Sequence, residues 1–166
     1  KRIKTSVLTS GITELDKLLG GGIESGSSTL IIGPAGTGKS LIAITMAVAA
    51  VKRGERAALF IFDEVLGLLF SRSKGMGIDL EAMRDDGGLF IEQMDAAEVS
   101  PGEFAHKVRS CVEKEGIQTV ILDSLNGYLN AMAEERAVLV QLHELLSYLN
   151  QSGVMTLLTL ALHGLI

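Results

Sequence analysis

An octet of small and polar residues, GPAGTGKS at positions 33–40, matches the phosphate-binding pattern G-x-x-x-x-G-K-[ST]. An apolar run at residues 29–32 predicts a strand before it, and the apolar residues 41–51 predict a packed helix after it. Glycines let backbone N–H groups turn towards phosphate oxygens, and the helix N-terminus attracts the same anion. We therefore predict a nucleoside triphosphate site, and not merely a Gly-rich turn. Its expected binding residues are Gly33, Pro34, Ala35, Gly36, Thr37, Gly38, Lys39, Ser40 and Leu41.

Three polar side chains could complete this site around a Mg²⁺ ion. Lys39 is expected to reach the β and γ phosphates, and the Ser40 hydroxyl is the expected protein ligand of the metal. Asp123 ends the apolar run 119–122, so its carboxylate would hold Mg²⁺ through water opposite Ser40. A lone Asp after a strand is otherwise typical of a turn or a helix cap. With a phosphate loop in the same chain, we favour metal coordination.

A pair of acidic residues, Asp63 and Glu64, closes the apolar run 57–62. Two carboxylates near a triphosphate repel it, so their presence favours a catalytic role, in which one of them orients or deprotonates the attacking water. Adjacent residues point to different sides, and we prefer Glu64 as the water-orienting group, with Asp63 as its orienter or as the alternative base. The competing interpretation is that both acids cap the next helix.

Composition narrows the class of protein. The chain has 166 residues, enough for one domain with its own core, and its single cysteine predicts a reducing, cytoplasmic setting without a disulfide. No apolar stretch approaches the ~20 residues of a membrane span, and no signal peptide is expected after Lys1. A net charge of −5, with five Phe, two Tyr and no Trp, argues against nucleic acid as a partner.

Strand and helix signals alternate along the chain, which predicts an α/β fold with a mainly parallel sheet and crossover helices. Ligands bind beyond the carboxyl ends of such strands, so Gly33, Asp63, Asp123 and His163 are expected at one edge. The predicted strands are 29–33, 57–62, 88–92, 118–122 and 154–161. The predicted helices are 39–53, 65–74, 101–115 and 134–151.

The chain resembles the KaiC-like branch of the RecA-type ATPases. Residues 9–23 look like the family's lead signature, the phosphate loop follows, Asp63 and Glu64 match its paired catalytic acids, and residues 121–125 resemble its second metal-binding strand. The resemblance implies a three-layer αβα RecA-like P-loop fold, with a lead segment at 1–27 and an ATPase core at 28–166. It also implies that strand 154–161 separates the Asp123 strand from the phosphate-loop strand. Hexameric rings are implied too, with ATP between neighbouring subunits.

The chain departs from the family pattern at two positions. Asp63 stands where a Glu is common. Residues 160–163 stand where recombinase relatives carry a polar sensor of the γ phosphate, and His163 is either its substitute or, as is more common for a His that ends a strand, a solvated surface residue. Family domains also continue beyond the last predicted strand, so we expect an incomplete C-terminal end. We expect a neighbouring subunit to supply the cationic finger, and hence slow turnover by a monomer. Asn126, Tyr128 and Asn130 are predicted to line the cleft or the subunit interface.

Three functions from different classes compete. We favour an ATP-binding, Mg²⁺-dependent ATPase of a KaiC-like homo-oligomer, with a regulatory or signalling role and an unidentified regulatory protein partner. The second is a RadA-type DNA recombinase or recombination mediator, which the negative charge disfavours. The third is a phosphotransferase that phosphorylates its own Ser or Thr residues, which phosphate appearing on the protein would reveal.

Overall fold

The computed structural model describes residues 7–8, 23–24, 26–34, 39–62, 64–95, 98–124, 126, 128–129 and 135–162. Its strands are β1 (Val7–Leu8), β2 (Ile23–Glu24), β3 (Ser28–Pro34), β4 (Ala57–Ile61), β5 (Leu89–Gln93), β6 (Thr119–Asp123) and β7 (Met155–Leu162). Its helices are α1 (Lys39–Lys52), α2 (Leu66–Gly75), α3 (Leu80–Asp85), α4 (Pro101–Glu115) and α5 (Glu135–Gln151). None of the described helices is long and apolar enough to cross a membrane.

Five of the strands form one sheet in the order β3-β7-β6-β4-β5, and every neighbouring pair is parallel. Strand β7 therefore lies between β3 and β6, as the family resemblance implied. The two short strands β1 and β2 pair separately and antiparallel. They lie in the predicted lead segment, and the division of the chain at residue 27 stays a prediction.

Hydrophobic side chains cover both faces of the sheet, because alternate residues of each strand point to opposite sides. Leu59 and Ile61 of β4 pack with helices α1, α2 and α3, whereas Ala58 and Phe60 pack with α4 and α5. Parallel strands buried on both faces read as continuous apolar runs, and β4 is buried along its whole length. The predicted three-layer αβα class is confirmed.

Helix α3 is an element that the sequence analysis did not predict. It is too short for a helical period to show, and it begins where the Asp79 Oδ1 atom accepts a hydrogen bond of 3.1 Å from the Ala82 N–H group. Leu80 anchors it in the core with 1% of its surface exposed. The available signal in the sequence was an Asp, a residue typical of a helix N-cap, followed directly by an apolar Leu.

Aromatic rings fill the layer under α4. Phe104 lies with its ring centroid 5.7 Å from that of Phe60, and 5.2 Å from those of Phe62 and Tyr128. Tyr128 is only 1% exposed, so the prediction that it lines a cleft or an interface is wrong. Burying the large Tyr128 ring against other rings stabilises the protein more than leaving that ring exposed at the sheet edge would. Asn130 lies outside the described residues.

Replacing Phe104 by Ala should lower the free energy of unfolding by about 3–5 kcal/mol, because the change leaves a cavity among three rings. Urea denaturation followed by far-UV circular dichroism measures this loss. His106→Ala, on the exposed side of the same helix, should change stability by less than about 0.5 kcal/mol. Equal effects of the two variants would contradict the described packing of α4.

Candidate functional site

The carboxyl ends of the parallel strands bring the polar candidates to one edge of the sheet. Ile61 of β4 stands opposite Asp123 of β6, and the Phe62 N–H group donates a hydrogen bond of 2.9 Å to the Asp123 carbonyl. Glu64 follows two residues later. The ends of β4 and β6 are thus fixed relative to each other by backbone bonds.

The predicted phosphate loop connects β3 to α1. Gly33 and Pro34 are the last residues of β3, and Lys39, Ser40 and Leu41 are the first residues of α1. Residues 35–38 lie outside the described residues. A helix of 14 residues that starts directly after this loop presents its N-terminal N–H groups and its positive dipole end to the edge. Ser40 is partly buried and Leu41 is 43% exposed.

Asp123 is held by a residue that the sequence analysis missed. The Thr159 hydroxyl donates a hydrogen bond of 2.7 Å to Asp123 Oδ1, and Thr159 is fully buried on β7. Thr159 also stands opposite Ile31 of the phosphate-loop strand. The hydrogen bond from Thr159 fixes one carboxylate oxygen of Asp123 beside β7, which is the middle strand of β3, β7 and β6. The available signal was a hydroxyl in a mostly apolar strand, which also carries Thr156.

Glu64 forms a two-pronged ion pair with Arg72 of α2. Oε1 lies 2.7 Å from Nη1, and Oε2 accepts a hydrogen bond of 3.1 Å from Nη2. The N-cap residue of α2 is Val65, which makes no side-chain cap, and the Glu64 carboxylate bonds Arg72. Instead the Leu66 N–H group donates to Gln93 Oε1 at 3.4 Å. Asp63 and His163 lie outside the described residues.

Among the described residues, one cysteine and two tyrosines have shifted pKa values. Burial, followed by the charges of Glu115 and Glu92, raises the pKa of Cys111 to about 11, and burial raises the pKa of Tyr128 to about 12. Burial, then the hydrogen bond with Glu113, raises the pKa of Tyr148. The described part of the chain holds no cluster of three or more His, Cys, Asp or Glu that could bind a metal on its own.

A Mg²⁺ ion nevertheless fits the donor set at the edge. Mg²⁺ keeps several waters and is bound in proteins through one or two oxygen ligands plus substrate phosphates. Ser40 offers a hydroxyl, and Asp123 offers a carboxylate oriented at one oxygen by Thr159. A dense cluster of protein ligands is not required.

The fold and this edge define a RecA-like P-loop ATPase domain. The family model described as "ATPase: KaiC" matches residues 8–163, and the chain therefore belongs to the KaiC family of ATPases. The family resemblance drawn from the sequence is confirmed.

Individual relatives agree with this assignment. The chain is 27% identical over 161 residues to the circadian clock protein KaiC3 of Synechocystis sp., covering 92% of this chain and 32% of the relative. It is 29% identical over 126 residues to the circadian clock oscillator protein KaiC of Picosynechococcus sp., covering 76% and 24%. It is 34% identical over 129 residues to the DNA repair and recombination protein RadB of Methanococcoides burtonii, covering 77% and 54%. The chain thus spans a third or less of these two KaiC proteins and about half of RadB.

Thr159→Val should lower the free energy of unfolding by about 1–3 kcal/mol, because it leaves a part-buried carboxylate oxygen without its donor. Thr156→Val on the same strand is the matched control. The Thr156 hydroxyl is also buried and has no hydrogen-bond partner, so its removal should be neutral or stabilising. Urea denaturation of both variants measures the difference. Equal losses would show that the Thr159 bond does not hold Asp123.

Proposed function

We propose that this chain binds Mg²⁺-ATP at the carboxyl edge of its sheet and hydrolyses it as the ATPase domain of a KaiC-like homo-oligomer. The observation that carries the proposal is the parallel order β3-β7-β6, which puts the carboxyl end of β3 on the same edge as Asp123. The predicted phosphate loop begins at that end of β3. Family membership supports ATP as the nucleotide. The reaction class is phosphoanhydride hydrolysis.

Residues 33–41 would hold the triphosphate. The start of α1 supplies backbone N–H groups, and Lys39 supplies a positive charge for the β and γ phosphates. Ser40 and Asp123 would hold Mg²⁺, which when bound bridges the phosphates and neutralises their charge. Thr159 keeps the Asp123 carboxylate oriented for this task.

The water-orienting group in this proposal is Glu64. It follows β4, whose carboxyl end is bonded to that of the Asp123 strand, so its carboxylate can work at the same edge. A carboxylate that accepts a proton from water, or only orients it, contributes about 10²–10⁴-fold to such a reaction. Asp63 is the alternative base.

Assembly into a ring, hexameric by resemblance, is part of the proposal. Val65 and Leu68, beside Glu64, expose 58% and 65% of their surfaces, and a neighbouring copy would cover such apolar surface. A cationic finger from that neighbour would complete the charge stabilisation, so turnover should rise with assembly. A regulatory or signalling role, a regulatory protein partner and a cytoplasmic location complete this hypothesis.

The similarity to RadB supports a second candidate, a recombinase or recombination mediator that acts on DNA. The net charge of −5 opposes attraction to nucleic acid. Stimulation of phosphate release by single-stranded DNA would favour this candidate. Radioactive phosphate retained on the protein would instead identify an autokinase.

Phosphate release from Mg²⁺-ATP should fall by about 10²–10³-fold in both Lys39→Ala and Glu64→Gln, because each change removes one group that acts on the reacting phosphate or water. Lys52→Ala at the other end of α1 and Glu81→Gln on α3 are the matched controls, and both should keep the wild-type rate. Size-exclusion chromatography of each variant, with rates taken over a range of protein concentrations, separates loss of chemistry from loss of assembly.

Two results would contradict this proposal. Full activity of the Lys39→Ala variant would place hydrolysis at another site. Nucleotide binding without turnover at any concentration of wild type would make the domain a nucleotide sensor, with chemistry performed elsewhere.

A further inference from the structure

The ion pair between Glu64 and Arg72 engages both oxygens of the proposed water-orienting carboxylate. The two contacts, 2.7 Å and 3.1 Å, run from the two terminal nitrogens of one guanidinium to the two oxygens of one carboxylate. Arginine forms this parallel fork because its nitrogens match the carboxylate in spacing and plane, and a lysine cannot reproduce it. The side chain of Glu64 is 21% exposed and that of Arg72 is 49% exposed, so the pair stands at the surface and can open.

The position of Arg72 determines where the fork holds Glu64. Arg72 lies in the last turn of α2, eight residues after Glu64. Helical side chains tilt towards the helix N-terminus, so its guanidinium reaches back over the first turn. Since α2 leaves the carboxyl edge and returns along the face of the sheet, the fork draws the carboxylate against the helix. A water beside a γ phosphate would lie beyond the carboxyl ends of the strands, so the fork with Arg72 competes with that water for the oxygens of Glu64.

We propose that Arg72 is a positioning residue that holds Glu64 against α2, and that this pair must release the carboxylate before Glu64 orients the attacking water. The inference rests on the proposed function, because it assigns Arg72 a role through Glu64. Arg72 thereby acts as a brake on turnover, in the sense that it lowers the rate of ATP hydrolysis. Neither the phosphate-loop pattern nor the spacing of the acids marks this residue.

The size of the brake follows from the exposure of the pair. In an exposed ion pair, the paired arrangement is about 1.5- to 5-fold more populated than the open arrangement. Removing the Arg72 charge should therefore raise the fraction of free Glu64, and with it the rate of the chemical step, by up to about fivefold. The affinity for nucleotide should not change, since Arg72 acts on the carboxylate and not on the phosphates.

The test is the single-turnover hydrolysis rate of Mg²⁺-ATP by the assembled protein. Arg72→Met, which keeps the length of the side chain, should raise the rate about two- to fivefold and leave the concentration for half-maximal rate unchanged. The rate of Arg72→Lys should fall between that of Arg72→Met and that of wild type. Lys74→Met removes a neighbouring exposed charge from the same helix and should have no effect. In a Glu64→Gln background, Arg72→Met should no longer raise the rate.

A lower or unchanged rate in Arg72→Met overturns the proposal, as does a rise that survives in the Glu64→Gln background. A lower rate would mean that Arg72 holds Glu64 in its working position. An equal rise in Lys74→Met would trace the effect to the net charge of α2.

A second measurement separates this inference from the proposed function. If the wild type releases no phosphate, the proposed function fails, yet the pair can still be measured by a double-mutant cycle of Glu64→Ala and Arg72→Met in urea unfolding. The coupling should change the unfolding equilibrium constant by about 1.5- to 5-fold without nucleotide. It should remain with Mg²⁺ and a non-hydrolysable ATP analogue, which represents the ground state, and disappear with Mg²⁺-ADP and aluminium fluoride, which represents the transition state. Coupling that stays the same with aluminium fluoride overturns the release of Glu64.

Discussion

Burial of both faces of a five-stranded parallel sheet is the constraint on which the site depends. Parallel strands can be joined only by long crossovers, so helices must cover the sheet on both sides, and here α1, α2 and α3 cover one face while α4 and α5 cover the other. The same constraint directs every strand the same way. The carboxyl ends of β3, β4 and β6 therefore meet at one edge, although long stretches of sequence separate the residues that follow them.

A hydrogen bond and an ion pair orient two of the carboxylates at that edge. Thr159 donates to Asp123 from the strand between Asp123 and the phosphate loop, and Arg72 holds Glu64 from the following helix. The two bonds differ in character. The first is short, comes from a fully buried donor and is suited to a fixed task, whereas the second lies at the surface and is suited to one that changes during turnover. Under the proposed function, a fixed ligand for the metal and a movable carboxylate serve the same site.

Much of this architecture could be predicted from the sequence, because continuous apolar runs and a complete phosphate-binding octet are local signals. Long-range partners were not predictable in the same way. Thr159 lies in a run that the sequence predicts to be an apolar strand. The contact of Arg72 with Glu64 can be inferred only when the start of α2 is known, because the helix sets the distance between the two residues. The predicted place of Tyr128 at the edge is wrong because the sequence does not reveal that the rings of Phe62 and Phe104 pack against it.

The proposed function requires Asp123 and the phosphate loop to form one metal-nucleotide site. Isothermal titration calorimetry of ATP with and without Mg²⁺, in wild type and in Asp123→Asn, measures whether they do. Mg²⁺ should tighten ATP binding to the wild type by at least about tenfold, and the variant should lose most of this increase while still binding metal-free ATP. The same increase in both proteins, or no binding of ATP to the wild type, would contradict it.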